Sequence, residues 1–181
     1  MFNMRIIPLE REKYDYYERH YSYDTDYRYT VGVKSTAAEM GMILKREKYA
    51  ETRHVENTDT LYQDYWTGAR AFAVCPDGSD EHIGYVEIAT EEWNNRLRMT
   101  QLLVKPEYRG KGAGKFLMNF VKELAAEEDY RVIVLETQNC NVPAIDFYLS
   151  QGFVFCGGNV YFYSNGDIDD DEVMFEMAYL L

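Results

Sequence analysis

The chain has 181 residues, 46% of them apolar, which suits one α/β domain long enough to bury a full core. Lysines and arginines total 19 against 31 aspartates and glutamates, a net charge of −12, and no basic stripe interleaved with aromatics occurs, which argues against nucleic-acid binding. The opening Met1-Phe2-Asn3-Met4-Arg5 lacks a long apolar segment, so neither a signal peptide nor a membrane span is expected.

No internal repeat or low-complexity linker divides the sequence, so residues 1–181 read as a single domain. Residues 4 to 8 (Met-Arg-Ile-Ile-Pro) read as an edge strand. From Tyr14 to Tyr29 seven tyrosines are interleaved with acids. They either pack a small helical lid or form an aromatic and carboxylate wall for a polycation. Two helical patterns follow, around Ser35–Tyr49 and Thr58–Thr67. Gly84 to Ala89 alternates like a central strand with Glu87 in its middle, and a further apolar run ends at Leu102-Leu103-Val104.

Lys105 to Gly114 then carries three glycines at alternate positions, followed by Phe116, Leu117, Phe120, Val121 and Leu124 on one helical face. Strand, glycine-rich loop and helix in that order leave backbone N–H groups free at the positive end of a helix, a cradle for phosphate. A Walker A loop is excluded, because Gly114-Lys115 is followed by Phe116 instead of Ser or Thr. A dinucleotide fingerprint fits poorly, because the glycines run G-x-G-x-G and stand five residues beyond the strand.

Downstream, Arg131 to Leu135 is a β-branched run that reads as a buried strand. Asn141 is a suitable N-cap for a helix over Val142–Leu149, with Pro143 in its first turn. Gly152 ends that helix and Phe153-Val154-Phe155 begins another strand. The acidic run Asp167 to Glu172 reads as a solvated hairpin tip before a last strand, Val173–Leu181.

Cys75, Cys140 and Cys156 are an odd number without metal spacing and fit reduced thiols in a cytoplasm. His20, His54 and His82 are scattered singly, so no metal site is expected.

Arg109-x-x-Gly112-x-Gly114 resembles the Q/R-x-x-G-x-G/A signature of the GNAT superfamily of N-acetyltransferases. Asn141-x-x-Ala144-x-x-Phe147-Tyr148, followed by Gly152-Phe153, resembles the second half of that core. Leu135-Glu136-Thr137-Gln138-Asn139, with Trp93-Asn94 and Gly157-Gly158, is similar to the streptothricin acetyltransferase group, which acetylates an amine of a cationic antibiotic. The resemblance spans roughly residues 84 to 181. It implies an α/β (α+β) fold, with a mixed, twisted central sheet of about six to seven strands flanked by helices. Residues 1–80 would form the acceptor side and residues 81–181 the acetyl-coenzyme A core.

Cofactor-binding residues implied by the resemblance are Leu103 and Val104 through their backbone, Arg109, Gly110, Lys111, Gly112, Ala113, Gly114 and Lys115 at the pyrophosphate, and Asn141 at the pantetheine arm or a phosphate. Tyr148 would donate a proton to the departing thiolate; its plainer role is a buried aromatic with a satisfied hydroxyl. Glu87 is the first candidate for the base that takes the amine proton, with a solvated glutamate as the alternative and Glu136 and Gln101 behind it. One departure stands out: an acidic residue expected in the fourth strand falls on Thr100.

The expected activity is direct acetyl transfer from acetyl-coenzyme A to a primary amine of a small cationic molecule, streptothricin or a related antibiotic. The expected enzyme is cytoplasmic, needs no metal and binds no membrane. A homodimer fits the family. The rivals are a protein or peptide N-acetyltransferase and a non-catalytic acyl-coenzyme A-binding module.

Overall fold

In the computed structural model, which describes residues 3–181, β1 (Met4–Leu9) is followed by α1 (Arg11–Tyr14), β2 (Glu18–Ser35) and β3 (Met40–Thr60). Then come β4 (Arg70–Pro76), β5 (Gly84–Glu91), β6 (Arg96–Val104), α2 (Ala113–Glu127), β7 (Val132–Gln138), α3 (Val142–Ser150), β8 (Val154–Asn159) and β9 (Met174–Leu180). Seven strands hydrogen-bond in the order β1-β4-β5-β6-β7-β9-β8, and β2 and β3 form a separate two-stranded sheet. The chain falls into two compact units. The first holds the residues up to Ser22, Glu56–Leu135 and Ala178–Leu181; the second holds Tyr23–Val55 and Glu136–Met177.

In the first unit, β1, β4, β5 and β6 are antiparallel neighbours, and β6 pairs parallel with β7 from Arg96–Val132 to Met99–Leu135. β5 is buried on both faces from Gly84 to Ala89, as its near-continuous apolar run requires. Helix α2 lays Leu117, Met118, Val121 and Ala125, all fully buried, on this sheet. Burial of each of the three larger side chains contributes roughly 1.5–3 kcal/mol. The close approach depends on Gly84, where a Cβ would stand 2.9 Å from the Leu103 carbonyl oxygen and 3.3 Å from Leu117 Cδ1.

In the second unit Asn139 is the hub. Its N–H and side-chain oxygen bond Val173 (2.9 and 2.8 Å), and its carbonyl and side-chain nitrogen bond Tyr29 (3.0 and 2.9 Å). Helix α3 buries Val142, Ile145 and Tyr148, spaced three apart on one face.

Four expectations fail. Ser35–Tyr49 is not a helix: Thr36 and Glu39 exchange backbone hydrogen bonds across a tight turn, and β3 begins at Met40. Good helix formers such as Ala37, Ala38, Glu39 and Leu44 are overridden by cross-strand pairing, which includes Thr52 with Asp26 and His54 with Asp24. Thr58–Thr67 is not helical either. It finishes β3 and turns at Tyr62, whose φ is +60° and whose N–H is fixed on Glu87. From Tyr21 onward the tyrosine-rich segment lies in β2, not in a helical lid; Tyr14 ends the short α1, and Tyr16 and Tyr17 lie between the two elements. Finally, the acidic run is not a solvated tip throughout. Asp167 is buried and accepts from the N–H groups of Phe162, Tyr163 and Ser164, while the largely buried Asp171 receives Arg28 and Tyr49.

Candidate active site

The glycine loop has the conformation a phosphate cradle needs. Gly110 and Gly112 have φ of +70° and +95°, and a Cβ at either would meet only open space. The glycines are thus required by backbone conformation, not by crowding. Gly112 caps α2, whose first helical bond runs from the Phe116 N–H to the Gly112 carbonyl. The N–H groups of Ala113, Gly114 and Lys115 consequently have no helical acceptor. No acidic residue sits in the first turn to occupy them. Arg109, Lys111 and Lys115 are exposed around this end, with Arg109 Nε bracing the loop on the Val104 carbonyl at 3.1 Å. An anionic pyrophosphate fits this donor set.

Leu103 and Val104 pair with Tyr85 and Gly84 on the β5 side. On the other side the β6–β7 ladder stops at Met99–Leu135, while β6 continues to Val104. The backbone edge assigned to the pantetheine arm is therefore not consumed by that ladder. A cavity of about 420 Å³ opens beside Leu103, with His20, Ser22, Asn57 and Thr58 among its walls.

Glu87 is fully buried, so the solvated reading is wrong. Its Oε2 accepts the Tyr62 N–H at 2.7 Å and its Oε1 accepts the Thr100 hydroxyl at 2.8 Å. Burial pushes its pKa above the ordinary carboxylate value, held back by these two hydrogen bonds and by the charge of Arg19. A bulge creates the arrangement. Opposite Glu87 and Ile88 the β6 partners are Gln101 and Met99, leaving Thr100 as the extra residue. Asp59, also raised by burial, and the buried Arg19 act electrostatically on this carboxyl. Gln101 is committed through Nε2 to the Thr60 carbonyl, which removes it as a base. The sequence signalled none of Arg19, Asp59 or Tyr62, because they come from distant segments with no motif of their own.

The remaining candidates lie in the second unit. Asn141 caps α3, its side-chain oxygen accepting the Ala144 N–H at 3.3 Å. Tyr148 is buried between the rings of Phe147 and Phe153, at 5.7 and 6.0 Å. Glu136 accepts the Tyr163 hydroxyl at 2.7 Å. The Cys140 thiol is buried, and burial raises its pKa, so it has no thiolate character for a nucleophile. Among the described residues no group of His, Cys, Asp and Glu could hold a metal, and no helix is long and apolar enough to cross a membrane.

The mixed seven-stranded sheet, with a glycine-capped helix following β6, is an acetyltransferase (GNAT) fold. The model of the acetyltransferase (GNAT) family matches residues 37–153, well over half of the chain, which therefore belongs to that family. Streptothricin acetyltransferase of Streptomyces lavendulae is 39% identical over 85 residues, covering 47% of this chain and 44% of the relative. The chain thus spans about half the length of the curated relatives it matches. The crystal structure of nourseothricin acetyltransferase aligns over 98% of both chains, with 27% identity and a TM-score of 0.75. A proposed streptothricin acetyltransferase of Bacillus anthracis str. Ames, solved with acetyl coenzyme A, has the same fold at 23% identity and a TM-score of 0.71, over 99% and 98% of the two chains. The expected family and fold class are borne out.

Proposed function

We propose that this chain transfers an acetyl group from acetyl-coenzyme A to a primary amine of a small cationic molecule, streptothricin or a related antibiotic. The observation that carries the reading is the α2 N-terminus: free N–H groups, two glycines at positive φ, three cations and no competing acid. The relatives at 39% and 27% identity are named for streptothricin and nourseothricin, which points to the acceptor class. A net charge of −12 favours encounter with a cationic amine.

When bound, acetyl-coenzyme A supplies an acetyl thioester, an acyl group activated toward amines. The N–H groups of residues 113–115 and the side chains of Arg109, Lys111 and Lys115 hold its pyrophosphate; Leu103 and Val104 hold its arm through their backbone, and by the family resemblance Asn141 would contact the arm or a phosphate. Glu87 takes the proton the acceptor must lose. Because the carboxylate is buried, the Thr100 hydroxyl on Oε1 is its route outward, accepting one proton while passing on its own. The Tyr148 hydroxyl donates to the departing sulfur.

Release of free thiol from acetyl-coenzyme A, followed across streptothricin, polyamines, aminoglycosides and peptides, tests the reading. Streptothricin-dependent release should fall by about 10²–10⁴ in Tyr148→Phe. Release with peptides alone would replace the antibiotic acceptor, and binding of acetyl-coenzyme A without turnover on any amine would favour a regulatory module.

A further inference from the structure

Arg19, on β2, is 6% exposed, yet its Nε and Nη2 are buried without a hydrogen-bond acceptor. A buried donor left unpaired is costly, and an ionised one more so. These two N–H groups share one edge of the guanidinium, the parallel fork that suits a carbonyl or carboxylate oxygen. The side chain is held in place without consuming that edge: the guanidinium lies over the Tyr85 ring at 5.7 Å, with the charges of Asp59 and Glu87 acting on it. A matching acceptor is left over nearby. Gln101 stands directly across from Glu87 in the β5–β6 ladder; its Nε2 is fixed on the Thr60 carbonyl, and its Oε1 is buried with no donor. An amide carries both an acceptor and a donor, and so can satisfy the Arg19 fork and the Gln101 oxygen together. A carboxylate would satisfy the fork but would meet Glu87 and Asp59 as like charges and offer Gln101 nothing.

We infer that Arg19 is a specificity-determining residue that receives the carbonyl oxygen of an amide next to the acceptor's reactive amine, selecting aminoacyl amides over simple diamines. The inference rests on the acetyl-transfer reading and narrows its acceptor. Holding the carbonyl on Arg19 places the neighbouring amine beside Glu87, so one contact supplies both selectivity and alignment.

The amide could also come from the pantetheine arm, and the experiment separates the two. Wild type and Arg19→Lys, which keeps the charge and loses the fork, are compared on lysinamide, free lysine and 1,5-diaminopentane, with the KM of acetyl-coenzyme A measured alongside. Wild type should prefer lysinamide. Arg19→Lys should lose about 10- to 100-fold in kcat/KM on lysinamide, with little change on the diamine or in the KM of acetyl-coenzyme A. Equal losses on both amines would make Arg19 merely structural, and a rise confined to the KM of acetyl-coenzyme A would assign the fork to the pantetheine arm; either result overturns the inference. Calorimetric binding of lysinamide and the diamine needs no turnover. A lysinamide preference that Arg19→Lys abolishes would uphold the subsite even if acetyl transfer failed, and no preference would overturn it. Arg19→Gln, with its melting temperature recorded, serves if the lysine variant does not fold.

Discussion

Glu87→Gln isolates the proposed proton acceptor from the architecture around it. Glutamine has nearly the same shape, and both existing hydrogen bonds can persist. Its Oε1 can take the Tyr62 N–H, and its Nε2 can donate to Thr100 Oγ1, reversing only the Thr100 partnership. Two charge-assisted bonds become neutral ones, a loss of roughly 1 kcal/mol each, but the cost of burying an ion disappears. Stability at neutral pH should therefore change by no more than about 1–2 kcal/mol. The sign of its pH dependence follows from the raised pKa. The folded state holds the proton more tightly than the unfolded chain, so wild type is penalised as pH rises from the ordinary value of 4.5 through the folded value. The glutamine variant lacks that penalty and should gain stability relative to wild type over the same window.

Activity should behave differently. Loss of the base is expected to lower kcat/KM by about 10²–10⁴. In wild type, kcat/KM should rise with pH along an acid limb whose midpoint lies above the ordinary glutamate value of 4.5, because Glu87 accepts a proton only once ionised. Melting temperature across pH reads the first effect, and thiol release across pH reads the second. Turnover unchanged at every pH, from a variant that melts like wild type, would refute the role of Glu87.

Two further substitutions probe separate parts of the site. Gly112→Ala meets open space, so its effect is the backbone strain at φ +95°, about 1–2 kcal/mol, felt at the α2 cap; the affinity for coenzyme A, read by calorimetry, should drop about tenfold or more while Glu87-dependent pH behaviour is retained. Asn141→Ala removes the α3 cap and should cost about 1 kcal/mol in urea unfolding, with Asn141→Ser recovering most of it; full stability in the alanine variant would mean the cap bond contributes nothing.

The parts of the molecule legible in the sequence were those fixed by local chemistry. Glycines at positive φ, an asparagine cap with a following proline, and an apolar helical face announce α2 and α3 because each needs only its neighbours. β2 and β3 were not legible. Their ladder is stabilised by partners such as Thr52–Asp26 and His20–Thr58, which are 26 and 38 residues apart, while the local run from Ala37 to Lys48 favours helix. The surroundings of Glu87 were hidden for the same reason. A glutamate at mid-strand was visible, but its burial depends on the 59–63 segment and on Arg19, neither of which any local pattern ties to β5.

The β6 bulge accounts for the departure at Thr100. In a regular ladder, residues 100 and 101 would point to opposite faces. The extra residue lets Thr100 reach Glu87 while Gln101 remains opposite it, so a neutral hydroxyl stands where the resemblance expects an acid. A second carboxylate there would face Glu87 and, with Asp59, put three acids around a single Arg19, disfavouring ionisation of the proposed base. On its other edge the β7 ladder ends at Met99–Leu135, and β6 runs on from Gln101 to Val104 still paired with β5. One inserted residue thus presents Thr100 to Glu87 without displacing Gln101 from its place in the ladder.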